Sequence, residues 1–203
     1  MADLAFLDDI LNPGEHLRTD ARATVQEILT AADRTLSRDP AATLDQIAAE
    51  AGVARTTIHR RFATRELLLR ALDRWAVHQI ATALEEANPE TAPPYVALYQ
   101  ATANILRIKI NLAFGRDTAC STDPVVQAAD AAIAATADAL LTRAKSVGLL
   151  RADVSIPWAR RVYYALVHET VRSASPEDEP TTLASRVLDT FCHGFGTPTA
   201  NQP

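Results

Sequence analysis

The sequence predicts an all-α protein, and three observations lead to this fold class. Alanine and leucine dominate a chain that is 48% hydrophobic and 22% charged, with six glycines in 203 residues. Apolar residues recur at intervals of three and four, whereas the period-two Val/Ile alternation of strands is absent. Proline, glycine and asparagine fall between the periodic segments, where they end helices. We expect an N-terminal three-helix domain followed by a C-terminal helical bundle.

The first helix is predicted over about residues 20–37, after an arm at 1–18 that contains an Asn12-Pro13-Gly14 turn. Five apolar residues at helical spacing form its buried stripe: Val25, Ile28, Leu29, Ala32 and Leu36. Asp39-Pro40 ends this helix, because proline disfavours the helical conformation of the residue before it.

A short second helix begins with a capping box, in which Thr43 is followed three residues later by Gln46. Its apolar face is formed by residues at positions i, i+3, i+4 and i+7: Leu44, Ile47, Ala48 and Ala51. Gly52 then supplies the positive φ that ends a helix without steric penalty. The sequence therefore predicts a tight turn at this glycine.

A third helix is predicted over about residues 54–62, with Ile58 and Phe62 on its buried face. Its other faces carry polar and basic side chains, and Thr64 then caps a longer helix that opens at Arg65. Two helices about a glycine turn, the second one basic and exposed, form the helix-turn-helix pattern.

Charge supports a nucleic-acid partner for this segment. Four arginines and no acid lie between Gly52 and Arg65, whereas the whole chain carries a net charge of −5. A local positive face on an acidic protein is attracted to polyanions. The alternative is a solvated helix pair in an ordinary helical bundle.

The remaining chain is predicted to contain a long fourth helix and a four-helix bundle. The fourth helix covers about residues 65–88 and leads into a proline-containing linker. The other helices are predicted at about 95–114, 125–147 (ending at Gly148), 157–173 and 181–195. The domains are therefore assigned as an arm (1–18), a helix-turn-helix domain (19–66), a regulatory domain (67–197) and a tail (198–203).

Several function classes lack a signature in this sequence. We find no phosphate-binding loop, dinucleotide fingerprint or nucleophile motif, so we do not expect an enzyme or a cofactor. Cys120 and Cys192 are far apart and the five histidines are scattered, which predicts reduced thiols and no metal site. No signal peptide and no run of 18 apolar residues is present, so we expect a cytoplasmic protein without a membrane partner.

Residues 22–75 closely resemble the N-terminal domain of TetR-family transcriptional regulators. The resemblance rests on a pattern that this chain supplies in register: Ile47-Ala48, Ala51-Gly52-Val53, Phe62 and Arg65. Two positions depart from it, because Thr56 stands where the family usually has glycine and His59 where it usually has tyrosine. The second departure predicts a weaker or pH-dependent phosphate contact.

The resemblance implies double-stranded DNA as a partner, and the third helix supplies candidate contacts. Four side chains are predicted to reach base edges: Arg55, Thr56, Thr57 and Arg60. Four others are predicted to hold phosphates: Thr43, His59, Arg61 and Arg65.

The resemblance also implies a homodimer formed by the last two helices. The predicted interface is their apolar stripe: Tyr163, Leu166, Val167, Leu183, Val187, Leu188 and Phe191. Two such helices can form a four-helix interface with the same pair of a second copy. The alternative is that the chain's own core consumes both stripes.

A small-molecule effector would bind in the larger helical domain, which would act as the sensor. The candidate pocket residues are Trp75, Asn104, Ile108, Asn111, Tyr164 and His168. For the polar residues of the 95–114 helix the alternative is a solvated face, for Trp75 it is the core, and for Tyr164 and His168 it is the dimer seam.

The leading hypothesis is a dimeric repressor that a small apolar or amphipathic molecule releases from a palindromic operator. A second hypothesis is a DNA-binding regulator without small-molecule input, controlled by a protein partner or by its own abundance. An all-helical enzyme is the third class, and the absence of a nucleophile–base pattern argues against it.

Overall fold

The computed structural model describes residues 19–111, 121–175 and 177–195. Within these ranges the chain forms eight helices and no strand, which confirms the predicted all-α class. The helices are α1 (Thr19–Arg38), α2 (Leu44–Glu50), α3 (Arg55–Arg61), α4 (Arg65–Glu85), α5 (Pro94–Asn111), α6 (Pro124–Ser146), α7 (Ile156–Ser173) and α8 (Pro180–Phe195). The predicted arm, the tail after 195 and the loop before residue 121 lie outside the described residues.

The described residues fall into two compact units. The first contains residues up to 78 together with 121–128, and the second contains 79–111 and the residues from 129 onward. The boundary within the chain thus falls inside α4, between His78 and Gln79. The domain assignment made from the sequence, with its division at 66/67, describes functional domains rather than compact units and stays a prediction.

The core of the first unit is built from the apolar stripes of α1 to α4. All five residues of the predicted α1 stripe are fully buried. They pack with Ile47 of α2, Ile58 of α3 and Leu72 of α4, and Phe62 fills the space after α3 with 1% of its surface exposed. Burying side chains of this size supplies most of the stabilisation of so small a unit.

Two helix ends have left-handed backbones at the glycines that the sequence indicated. Gly52 has φ +67° between α2 and α3, and Gly148 has φ +78° after α6. Asn88 adopts φ 50° after α4, a conformation that asparagine tolerates better than most residues. Local chemistry therefore determined where these three helices end.

The core of the second unit joins α5, α7 and α8. Leu106 of α5, Val167 of α7 and Leu188 of α8 lie in one cluster with Leu141 of α6 and Leu150 of the following turn. A polar pair lies inside this cluster, because the Tyr163 hydroxyl is 2.8 Å from Thr102 Oγ1. Thr102 Oγ1 also donates to the Leu98 carbonyl at 2.6 Å, so the tyrosine is the donor of the pair. Burial raises the pKa of Tyr163 to about 12.

A buried ion pair fixes the start of α6 within the first unit. Arg74 Nε lies 2.7 Å from Asp123 Oδ2, and the two side chains are 14% and 7% exposed. Asp123 also accepts from the Val125 N–H at 2.9 Å and so caps α6. Burial opposes ionisation of Asp123, but the hydrogen bonds from Arg74 and Val125 outweigh it and lower the pKa of this carboxyl.

One helix, α6, is long and apolar enough to cross a membrane when judged by length and composition alone. Its best 18-residue window has a mean hydropathy of 1.3, and 17% of that window is buried. The window contains Asp130 and Asp138, so it is not the uninterrupted run of 18 apolar residues for which the sequence was searched. A single helix of this kind is weak evidence of a membrane span.

Candidate nucleic-acid interface

The exposed face of α3 carries the side chains that the sequence assigned to base contacts. Ile58 and Phe62 anchor the helix in the core at 0% and 1% exposure. Thr56 and Arg60, which lie on the opposite side at 100° per residue, are exposed. Neither side chain makes a hydrogen bond or ion pair with the described residues, so both are available to a ligand.

Arg55 and Thr57 flank that centre on its two sides. Arg55 opens α3 and is 78% exposed at its side chain, whereas Thr57 is half-buried. The predicted base-reading set therefore divides into a central pair and two edge residues. Amphipathic periodicity had assigned all four to the outer face without this distinction.

The predicted capping box at the start of α2 is present. Gln46 N–H donates to Thr43 Oγ1 at 3.3 Å, and Thr43 N–H donates to Gln46 Oε1 at 2.7 Å. Thr43 Oγ1 also lies 2.9 Å from Gln46 Oε1. The hydroxyl and N–H of Thr43, a predicted phosphate contact, are thus engaged within the protein.

Asp45 is a residue of this surface that sequence reasoning missed. Its Oδ1 is 3.0 Å from His59 Nε2, and its Oδ2 is 3.4 Å from Arg55 Nη1. An acid therefore lies among cations that the sequence presented as an uninterrupted basic segment. The sequence does show that Asp45 lies in the first turn of α2. Its contact with α3 depends on how α2 and α3 cross, and the periodicity of a single helix does not reveal that crossing.

The two remaining predicted phosphate contacts differ in their surroundings. Arg61 is half-buried, and its Nε is buried without a hydrogen-bond partner in the described part of the chain. Arg65 Nη2 donates to the Pro40 carbonyl, and its Nε donates to Ala42 O at 3.4 Å. Arg65 therefore holds the α1–α2 loop, which gives it a structural role that the sequence did not predict.

The predicted pocket residues do not converge on one site. Trp75 is 4% exposed in the core of the first unit, and its Nε1 has no hydrogen-bond partner among the described residues. Asn104 Nδ2 donates to the Ala83 carbonyl at 3.3 Å, and Ile108 packs against the core of the second unit. Asn111 is the last residue of α5, and its side chain lies outside the described atoms.

Tyr164 and His168 differ from the other predicted pocket residues, because both are exposed on α7. The Arg160 guanidinium lies 5.7 Å from the centre of the Tyr164 ring and pairs with Asp138 at 2.7 Å. The neighbouring Tyr163 turns inward instead. Neither residue belongs to the buried core of its own unit, and their role in a pocket stays a prediction.

The predicted dimer stripe also requires correction at the level of residues. Leu166 packs against the chain's own core. The other six members are buried in that core, at 6% exposure or less: Tyr163, Val167, Leu183, Val187, Leu188 and Phe191. Buried side chains are not accessible to a second copy, so this stripe follows the alternative interpretation. The large hydrophobic residues that α7 exposes are Trp158, at 55%, and Tyr164, at 38%.

A cleft of about 480 Å³ lies in the first unit, next to the ion pair that fixes α6. Glu66, Arg70, Asp73, Arg74 and Asp123 contribute charged side chains of both signs to its walls. None of the predicted pocket residues lines this cleft, whose wall also includes the apolar residues Leu69 and Pro124.

Known proteins share this arrangement. The model of the bacterial regulatory proteins of the TetR family matches residues 28–72. The HTH-type transcriptional repressor LfrR of Mycolicibacterium smegmatis is 34% identical over 165 residues, which cover 77% of this chain and 83% of LfrR.

Solved structures agree with this relationship. The crystal structure of LfrR from Mycobacterium smegmatis in complex with proflavine has a TM-score of 0.65 and 29% identity, over 87% of this chain and 99% of that chain. The TetR transcriptional regulator SCO0520 from Streptomyces coelicolor has a TM-score of 0.59 and 27% identity, over 86% and 99% of the two chains. These relatives are transcriptional regulators rather than enzymes, which agrees with the predicted class. The chain belongs to the TetR family of bacterial regulatory proteins.

Proposed function

We propose that this protein is a dimeric repressor that reads a pseudo-palindromic operator with α3 and leaves it when a small molecule binds. The observation that carries the proposal is the exposed pair Thr56 and Arg60, which lies opposite the buried anchors Ile58 and Phe62. An anchored helix that presents unpaired polar side chains suits the major groove, which admits an α-helix.

The central pair would make the main base contacts. Arg60 can donate two hydrogen bonds to guanine O6 and N7, and the Thr56 methyl can contact a thymine methyl. Arg55 and Thr57 would read the flanking base pairs from the edges of the same helix. This order of importance follows from the position of each residue relative to the buried anchors rather than from charge alone.

The phosphate contacts would come from side chains around α3. Arg61 is the strongest candidate, because its buried Nε lacks an acceptor within the described protein. Arg65 would contribute only the N–H groups that its two carbonyl bonds leave over. Thr43 and His59 would contact phosphate only by exchanging their present partners, Gln46 and Asp45.

Two copies are needed to read both half-sites of an operator. In a dimer, the two α3 helices would enter successive major grooves about 34–36 Å apart. We place the interface on the exposed sides of α7 and α8, where Trp158 is the largest apolar side chain. Access to the operator requires a cytoplasmic location.

Selection of bound sequences from a random DNA pool tests the DNA-binding part of the proposal. We expect a pseudo-palindrome whose half-sites are one helical turn apart. Arg60→Ala should then weaken operator binding by about 1–3 kcal/mol, or about 5- to 150-fold in Kd. The control is Arg151→Ala, which removes the same charge from an exposed position in the turn after α6. Equal affinities for the wild type and Arg60→Ala would contradict the assignment.

The effector part of the proposal is tested with proflavine, the ligand in the LfrR complex. Calorimetric titration without DNA avoids any direct contact between the dye and DNA, and saturable binding is expected. A saturable loss of operator affinity should follow, with an unrelated repressor–operator pair as the control for dye on DNA. Operator binding that no member of a small-molecule library alters would favour the regulator without small-molecule input.

A further inference from the structure

The reading helix is tied to α2 by one carboxylate. Asp45 Oδ2 contacts Arg55, and Asp45 Oδ1 contacts His59 one turn later. Arg55 and His59 are spaced i, i+4, so both project from the same side of α3. A single acid with two separate oxygens therefore holds two members of the candidate DNA surface at once.

Arg55 and His59 lie at the edge of the candidate DNA surface on α3. At 100° per residue, Arg55 and His59 lie between the exposed centre at Thr56 and Arg60 and the buried stripe at Ile58. They are the edge of the reading surface that faces α2. Their side chains remain 78% and 52% exposed, so the pair is not a core element.

The contacts of Asp45 with Arg55 and His59 are poorly suited to stabilise the fold. An exposed ion pair adds little to stability, because solvent screens the attraction and two side chains lose freedom. A carboxylate on a surface that meets phosphates also repels the polyanion. The contact therefore needs a reason other than stability or general affinity for DNA.

We propose that Asp45 is a positioning residue for sequence readout, which rests on the proposed function. By holding Arg55 before DNA arrives, Asp45 reduces the rotamer freedom that the arginine loses on binding a base edge. Its charge at the same time weakens binding to DNA of any sequence. The first effect increases the ratio of specific to non-specific affinity, whereas the second lowers both affinities together.

The test compares Asp45→Asn with the wild type on three DNA fragments. These are the selected operator, the operator changed symmetrically at the base pair that Arg55→Ala ceases to discriminate, and unrelated DNA. We expect Asp45→Asn to bind unrelated DNA several-fold more tightly and to lose about tenfold discrimination at that one base pair, within the range of a bidentate contact. Discrimination at the other operator positions should not change.

A matched control removes the same charge from the same helix. The control is Glu50→Gln, because Glu50 lies at the end of α2 and its carboxylate pairs with Arg38 at 3.0 Å rather than with a residue of α3. It should raise affinity for unrelated DNA and leave discrimination intact. Urea unfolding of both variants checks that the fold is retained.

A double-mutant cycle separates positioning from charge. If Asp45 acts through Arg55, Asp45→Asn should not alter discrimination in an Arg55→Ala background. Additive effects, or loss of affinity spread evenly over the operator, would overturn the inference. A wild type that selects no sequence at all would overturn the proposed function and the inference together, whereas a selective wild type with an equally selective Asp45→Asn would overturn the inference alone.

Discussion

At the scale of single residues, the turn between the two reader helices depends on Gly52. Its φ of +67° lies in the left-handed region, where a Cβ approaches the following carbonyl oxygen. A Cβ built at this position meets nothing within 4 Å, so space is not the constraint. Any effect of a side chain here must come from the backbone conformation.

Gly52→Ala should therefore lower the free energy of unfolding by about 1–2 kcal/mol. Gly194→Ala is the matched control, because Gly194 lies within α8, has no positive φ and also has open space around its Cβ position. That change should raise stability by up to about 1 kcal/mol, as alanine favours a helix over glycine. Urea denaturation measures both values, and equal shifts in the two variants would show that φ is not the cause.

Residue-level features were predictable where their cause is local. The capping box of Thr43 and Gln46 and the turn at Gly52 depend on three or four neighbouring positions, so the sequence specifies them. The pair of Asp45 and His59 spans 14 positions and exists only because two short helices cross. A rule that considers only neighbouring positions cannot predict that crossing. The DNA-binding surface was therefore predicted without Asp45.

At the scale of elements, apolar periodicity identified which side of each helix is buried. It could not identify what buries it. The stripe of α7 and α8 suits a second copy and a monomer core equally well by hydrophobicity. The chain's own α5 covers it, and Thr102 of α5 supplies a buried acceptor for Tyr163 of α7 that periodicity alone does not reveal.

The contact between α5 and α7 gives a prediction at this scale. Tyr163→Phe removes the hydroxyl that donates to Thr102 Oγ1 and should lower the free energy of unfolding by about 1 kcal/mol at pH 7. The threonine keeps its bond to the Leu98 carbonyl, so the loss should not exceed that of one neutral hydrogen bond by much. Urea unfolding at neutral pH measures it.

The pH dependence of the same variant provides a second, independent readout. Burial raises the pKa of Tyr163 from 10.0 to about 12, so the folded state retains a proton that the unfolded state has released. Tyr163 should therefore contribute a loss of about 1 kcal/mol of stability per pH unit from pH 10 toward 12, and Tyr163→Phe should have a correspondingly shallower slope than the wild type. Tyr95→Phe, at a residue that is 49% exposed, should keep the wild-type slope. Identical slopes in all three proteins would contradict the assignment.

At the scale of the whole molecule, charge and surface hydrophobicity are unevenly distributed. A net charge of −5 coexists with a local surface in which Arg55, Arg60 and Arg61 outnumber Asp45. Such asymmetry orients the protein on DNA rather than increasing its general affinity. Composition revealed the asymmetry, whereas the placement of exposed aromatic residues required the structure.

The last prediction concerns assembly, which determines whether both half-sites can be read. Trp158 is 55% exposed on α7, and tryptophan is enriched among the residues that dominate interface energies. Trp158→Ala should raise the dimer dissociation constant by about 30-fold, corresponding to roughly 2 kcal/mol. Sedimentation equilibrium over a range of protein concentrations measures that constant. Tyr95→Ala removes an exposed aromatic residue from α5 and should leave the dimer unchanged. If both variants dimerise as the wild type does, the interface does not include the exposed side of α7. The two copies that bind the operator half-sites would then associate through another surface.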